Sequence, residues 1–127
     1  MQSDKDLLML AAQAYWAGEI DDVVSIEWSD EDNGVLYTHA DNQDHNGTDL
    51  TFVWNSLESG EDALRLAVKL MMSVEISEHE ASTYAYAGPA DRVYAMELWR
   101  NDRDAATRRA ITRAAAQLAQ AAQENPQ

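Results

Sequence analysis

Three groups of side chains have types and spacings that chemistry could use. Asp41, Asp44, His45 and Asp49 share one short loop, with His39, Asp30 and Asp32 nearby in sequence. Hard cations want several oxygen ligands, and such a loop carries them. The calcium-loop register is broken, however. With Asp41 as the first ligand, Asn46 stands where the glycine belongs; with Asp44 first, Asp49 does. Zinc sites of the HExxH kind need two histidines one helical turn apart, and the three histidines offer no such pair. Polar turn residues explain the same letters, so no metal is expected. Nucleophilic catalysis has less support still: there is no cysteine and no GxSxG. The five glycines stand singly and form no phosphate loop. The reading is of a protein without catalytic residues or cofactor.

The second group is Arg109 and Arg113, four residues apart, with Arg108, Arg103 and Arg100 close by. Such a pair could grip a carboxylate or phosphate. It could equally be a solvated helix face answering acid elsewhere in the chain. The third group is Glu19, Asp21, Asp22, Glu27, Asp30, Glu31 and Asp32, a run of carboxylates with no base among them. It belongs to a wider asymmetry. Residues 1–62 hold Lys5 as their single base, and the whole formal charge of −14 lies there; acids and bases balance over 63–127. That field repels nucleic acid and acidic membranes and attracts basic surfaces. A compact chain of 127 residues is about 36 Å across. Duplex DNA carries roughly 20 charges over that length, so imitation of nucleic-acid charge is physically possible. Solubility alone would also account for the acid.

The elements that must position these groups follow from periodicity. Ser3 caps a helix over about 4–17, which Gly18 stops. Val24, Ile26 and Trp28 then alternate with polar residues as a strand does, and Asn33-Gly34 signals a tight hairpin with both residues at positive φ. Val35–His39 returns, and Leu50, Phe52 and Trp54 mark a third strand. Ser59 caps a second helix whose apolar stripe reads as Leu64, Ala67, Val68 and Met71, so that a charge at Leu64 or Val68 should unfold the domain. Strands follow from Val74 and Ile76, over Ser82–Ala87 and over Arg92–Trp99, and a last helix covers about 104–123. The expected fold is α+β: an antiparallel or mixed sheet of five to six strands with about three helices, resembling an α/β/α sandwich. One domain over 1–127, frayed from about 124, suits this length. With 46% hydrophobic residues and four tryptophans it can bury a core. No apolar run approaches the roughly 18 residues that span a bilayer. Trp28, at a strand end beside the carboxylates, would be a binding anchor if exposed.

Trp54-Asn55-Ser56-Leu57 followed by Gly60-Glu61-Asp62-Ala63-Leu64-Arg65-Leu66-Ala67-Val68-Lys69-Leu70 resembles a family of small phage and prophage proteins, the phage ABA sandwich domain family. Its members carry a Trp-Asn-Pro-Leu segment before a Gly-Asp-Ala-Leu-Arg-Leu-Ala-Val-Lys-Leu helix, and often end in a helix like Ala106–Ile111 here. This chain departs at Ser56, where the family has proline, and by the insertion of Glu61. The resemblance implies a helix–sheet–helix fold and a phage context, hence the cytoplasm of a bacterial host. It carries no activity with it. Small acidic phage proteins commonly bind host machinery. The resulting expectation is an inhibitor of a host defence protein, of the anti-CRISPR type, acting by charge mimicry, steric block or oligomerisation. Glu19, Asp21, Asp22, Glu27, Trp28, Asp30, Glu31 and Asp32 would be its contacts, and a basic CRISPR effector subunit or nuclease its partner. No direct nucleic-acid or membrane binding is expected, and a homodimer is allowed. The alternative is an accessory protein that binds a phage replication or packaging partner; an Asp/His metal enzyme comes third.

Overall fold

The structure is a computed structural model that describes residues 3–17, 23–39, 50–89 and 92–124. Ser3 caps α1 (Asp4–Tyr15), its hydroxyl accepting from the Asp6 N–H at 3.1 Å, with Asp4 and Asp6 in the first turn where the helix dipole favours acid. Strands β1 (Val23–Ser29), β2 (Gly34–His39) and β3 (Leu50–Trp54) form an antiparallel meander. Ser59 caps α2 (Gly60–Lys69) in the same manner as Ser3. A second meander follows: β4 (Ser73–Ser77), β5 (Ser82–Ala87) and β6 (Val93–Leu98). The chain ends in α3 (Arg103–Glu124), opened by the Asp102 carboxylate accepting from the Ala105 N–H at 2.9 Å.

The α+β class and the three helices are as the sequence indicates. The single sheet is not. The strands form two separate three-stranded sheets, β1-β2-β3 and β4-β5-β6. α2 intervenes between the two triplets, where a fifth pairing would have joined them. Nor do helices cover both faces of a common sheet. α1 packs on the first sheet, α3 on the second, and the two helices pack on each other. Thr51 and Val53 of the first sheet, and Tyr94, Met96 and Leu98 of the second, lie on faces left largely exposed.

Two kinds of packing hold this together. Under the first sheet an aromatic cluster joins helix to strands: Trp16 lies 5.4 Å from Trp54 and 4.6 Å from Tyr37, and Tyr15 stacks on Trp54 at 5.6 Å. Under the second sheet the contact is made of small residues. Ala110, Ala114 and Ala115 of α3 are buried, as are Ala85, Ala87 and Ala95 of β5 and β6, so helix and sheet approach closely.

Two local expectations are corrected. The β1–β2 loop is Asp30–Asn33, since Ser29 pairs with Gly34. Asn33 alone takes the left-handed conformation (φ 51°), and Gly34 is the first residue of β2. Glycine is required at 34 for space: a Cβ there would meet Val53 Cγ1 at 3.0 Å and the Trp54 carbonyl oxygen at 3.1 Å. The second correction concerns α2, which buries Ala63, Leu66 and Ala67. Leu64, Val68 and Met71 face outward. Apolar residues cover a little over half of this helix's circumference, wider than the buried face, and periodicity alone selected the wrong edge of that arc. The structure therefore reverses the expected sensitivity. Leu66→Ala should cost about 2–5 kcal/mol in chemical denaturation, the range for emptying a buried leucine site. Leu64→Ala, measured in dilute solution, should stay within about 0.5 kcal/mol of the parent.

Candidate protein-binding surface

The carboxylates of the β1–β2 turn are fixed by their own neighbours. The Trp28 indole N–H donates to Asp30 Oδ1 at 2.7 Å, and the Ser29 hydroxyl to Asp32 Oδ2 at 2.9 Å. The Asp32 N–H returns a bond to Ser29 Oγ at 3.2 Å. These donors are neutral, so they order the acids without cancelling their charge. Asp30, Glu31 and Asp32 are all exposed.

This tip is tied to the start of α2 through Asn55. Its side-chain NH2 donates to the Asn33 carbonyl at 2.7 Å, while Oδ1 accepts from the N–H groups of Leu57 and Glu58 at 2.9 and 3.1 Å. The Asn55 N–H donates to Asp62 Oδ2 at 2.9 Å. Asn33 in turn donates to Glu58 Oε1 at 3.4 Å. Glu58, which is exposed, thereby joins the acidic turn, while Glu61, also exposed, pairs with Arg65 within α2. The run-based reading missed Glu58 because it lies over 25 residues away in sequence; the signal available was Asn55, a turn-former placed just before a capped helix.

The expected contacts divide as follows. Asp30, Glu31 and Asp32 form one exposed cluster. Glu27 is exposed on the opposite sheet face from Ile26 and Trp28. Trp28 is half-buried against the core, and its N–H is already taken, so it braces the turn from beneath. Glu19, Asp21 and Asp22 lie outside the described residues, as does the loop of Asp41, Asp44, His45 and Asp49. Among the described residues no three His, Asp or Glu side chains gather as a cation would need.

The C-terminal arginines are engaged within the chain. Arg109 reaches Asp4 Oδ1 at 2.8 Å, linking the balanced half to the acidic one. Arg113 pairs with Glu97 and the Met96 carbonyl, and Arg108 Nε donates to the Leu57 carbonyl at 2.9 Å. Arg103 lies over the Trp99 ring at 4.2 Å. An apolar groove of about 410 Å³ runs between α1 and α3 past Ala14, Leu70 and Leu118, and no titratable side chain lines it.

No known protein family, curated protein or solved structure matches this chain. The residues of the Trp54–Leu57 segment do structural work here. Asn55 fastens the acidic turn. Ser56 is fully buried and shares a 2.7 Å hydrogen bond with Thr112 of α3. Among the described residues no helix is long and apolar enough to cross a membrane.

Two outcomes follow. Asn55→Ala strips several buried hydrogen bonds at once and should lower stability by about 2–4 kcal/mol, with faster amide exchange in the Asp30–Asn33 turn. Burial, and next the Asp62 carboxylate, raises the Tyr37 phenol above its ordinary value. The folded state then holds this proton more tightly than the unfolded chain. That contribution is complete below the unfolded phenol's value of about 10, and is lost as pH rises through the folded one. Melting curves from pH 9 to 11.5 should therefore fall less steeply for Tyr37→Phe than for the parent.

Proposed function

We propose that this protein works by binding another protein, with the acidic surface of the β1–β2 turn and the α2 entrance seated on a basic groove. One observation carries the reading. Asp30, Glu31, Asp32 and Glu58 stand exposed at one corner of the fold, and among the described residues none has a basic partner. Fixed carboxylates held by neutral donors keep their full field, and they need little ordering when a cationic partner arrives. A basic groove is the surface a nucleic-acid-binding protein presents. The resemblance to small phage proteins supplies the class of target: a host defence protein, such as a CRISPR effector subunit or nuclease, held in an inhibited state.

The test is affinity capture from a lysate of a CRISPR-bearing bacterium, washed at low and moderate salt, with duplex DNA as competitor. A basic effector subunit should be retained by the parent, weakened by salt as screening shortens to about 8 Å at 0.15 M, and displaced by DNA. Glu31→Lys with Glu58→Lys should abolish capture while leaving the melting temperature unchanged; these two changes spare the Trp28–Asp30 and Ser29–Asp32 bonds. Capture that survives this reversal overturns the acidic surface as the interface. Recovery of phage replication or packaging proteins alone would overturn the choice of target.

A further inference from the structure

The outward face of α2 is an anomaly of a different kind. Leu64, Val68 and Met71 follow one another at helical spacing and are 64%, 68% and 89% exposed. Ile76 of β4 is 55% exposed, and it shares with Leu64 a shallow depression lined also by Ala63 and Ile111 and bordered by Arg103, Asp104 and Arg108 of α3. Val74 extends the patch along the same strand. β4 is also an edge: it pairs with β5 on one side, and among the described residues with no strand on the other. An exposed apolar edge strand is a template for pairing unless something covers it.

We infer that two copies of this chain associate through this face, the β4 edges pairing antiparallel across a two-fold axis and Leu64 and Val68 of α2, with Met71 just beyond the helix, closing over the joint. Charge selects a second copy as the occupant. Residues 63–77 contain Arg65, Lys69 and Glu75, whereas residues 1–62 carry the whole −14. On a chain this acidic, a like copy meets little net repulsion on such a band, where Arg65 is already held by Glu61 and the remaining charges of 63–77, Lys69 and Glu75, balance. A basic partner would be drawn to the acidic turn instead.

Register is constrained too. Pairing centred on Glu75 would set like charges directly opposite, which is unfavourable. Shifting by one residue sets Val74 or Ile76 against its own mate, keeps every side chain on its proper face, and places Glu75 opposite a serine. Area is adequate. At roughly 100 Å² per aliphatic side chain, the exposed fractions of the five apolar residues amount to about 300 Å² per copy. A standard interface buries about 800 Å² per partner, a little over half of it apolar, so the five residues supply roughly two thirds of the apolar part.

Sedimentation velocity with light scattering decides the matter, and neither uses the acidic turn. The parent should have the mass of two chains at micromolar concentration. Val68→Asp and Ile76→Lys alter side chains that are exposed in the single chain, so both should keep the parent's circular dichroism spectrum while weakening the dimer on the order of a hundredfold. Leu98→Asp, on the far edge strand β6, should leave the dimer intact. A parent with single-chain mass at its highest soluble concentration overturns the inference. So does a dimer that survives both α2 and β4 variants, or one that Leu98→Asp dissociates equally.

Discussion

The close contact between α3 and the second sheet is the constraint from which the rest of the fold follows. Alanine is the best helix former and loses no side-chain entropy on burial. A helix faced with it can settle onto strands that are themselves alanine-lined. A hydroxyl caught in such an interface is costly unless it finds a partner inside. Thr107 meets Thr83 at 2.9 Å, and Thr112 meets Ser56 while donating to the Arg108 carbonyl. The Trp99 N–H donates to the same Thr83 hydroxyl. At its far end the packing is tight against Gly88, whose φ of 85° suits glycine and whose Cβ would lie 3.3 Å from Leu118. α1 and α2 also rest on α3, so one helix organises both halves of the chain.

Through Ser56 that constraint reaches the acidic corner. The turn at 55–58 is bonded to α3 by the Ser56–Thr112 contact and by Arg108 on the Leu57 carbonyl. From the same turn Asn55 holds Asn33, and Asn33 holds Glu58. A continuous set of hydrogen bonds therefore runs from the C-terminal helix to the tip of the first hairpin. It explains how several like charges are kept close together. Their mutual repulsion acts on a backbone secured elsewhere, and the energy that opposes it comes from neutral hydrogen bonds, most of them part-buried, rather than from countercharge.

The sequence was informative where one physical preference acted alone. Ser3 and Ser59 cap as their position implies, and the strands at 23–29, 34–39, 50–54 and 82–87 follow their period-two pattern. It was ambiguous where two arrangements satisfied the same pattern. On α2, turning the helix by about one residue exchanges Leu64 and Val68 for Ala63 and Leu66, and both choices are apolar. In Asn33-Gly34 either residue can accept positive φ, and the crowding by Val53 that commits Gly34 to the strand depends on a neighbour 19 positions away. The division into two sheets depends on where α2 leaves the chain, which no strand's own composition encodes. Acid was plain as a run, but its assembly with Glu58 required the Asn55 bridge.

The misassigned face of α2 is itself evidence about how the molecule is used. Evaluated as a single chain, leaving Leu64, Val68, Met71 and Ile76 in water forfeits burial worth about 25 cal/mol for each Å², while the neighbouring Ala63 and Leu66 show that the helix has a perfectly good inner face. Solubility does not require that arrangement, because the charge asymmetry supplies it. Two unlike surfaces on one small domain, one acidic and polar, the other apolar and nearly charge-neutral, cannot compete for the same occupant. The acidic corner excludes its own kind, and the apolar band offers nothing to a cationic groove. A chain built this way could pair with itself and still present carboxylates outward, and the proposed binding role rests on that separation of surfaces more than on any single residue.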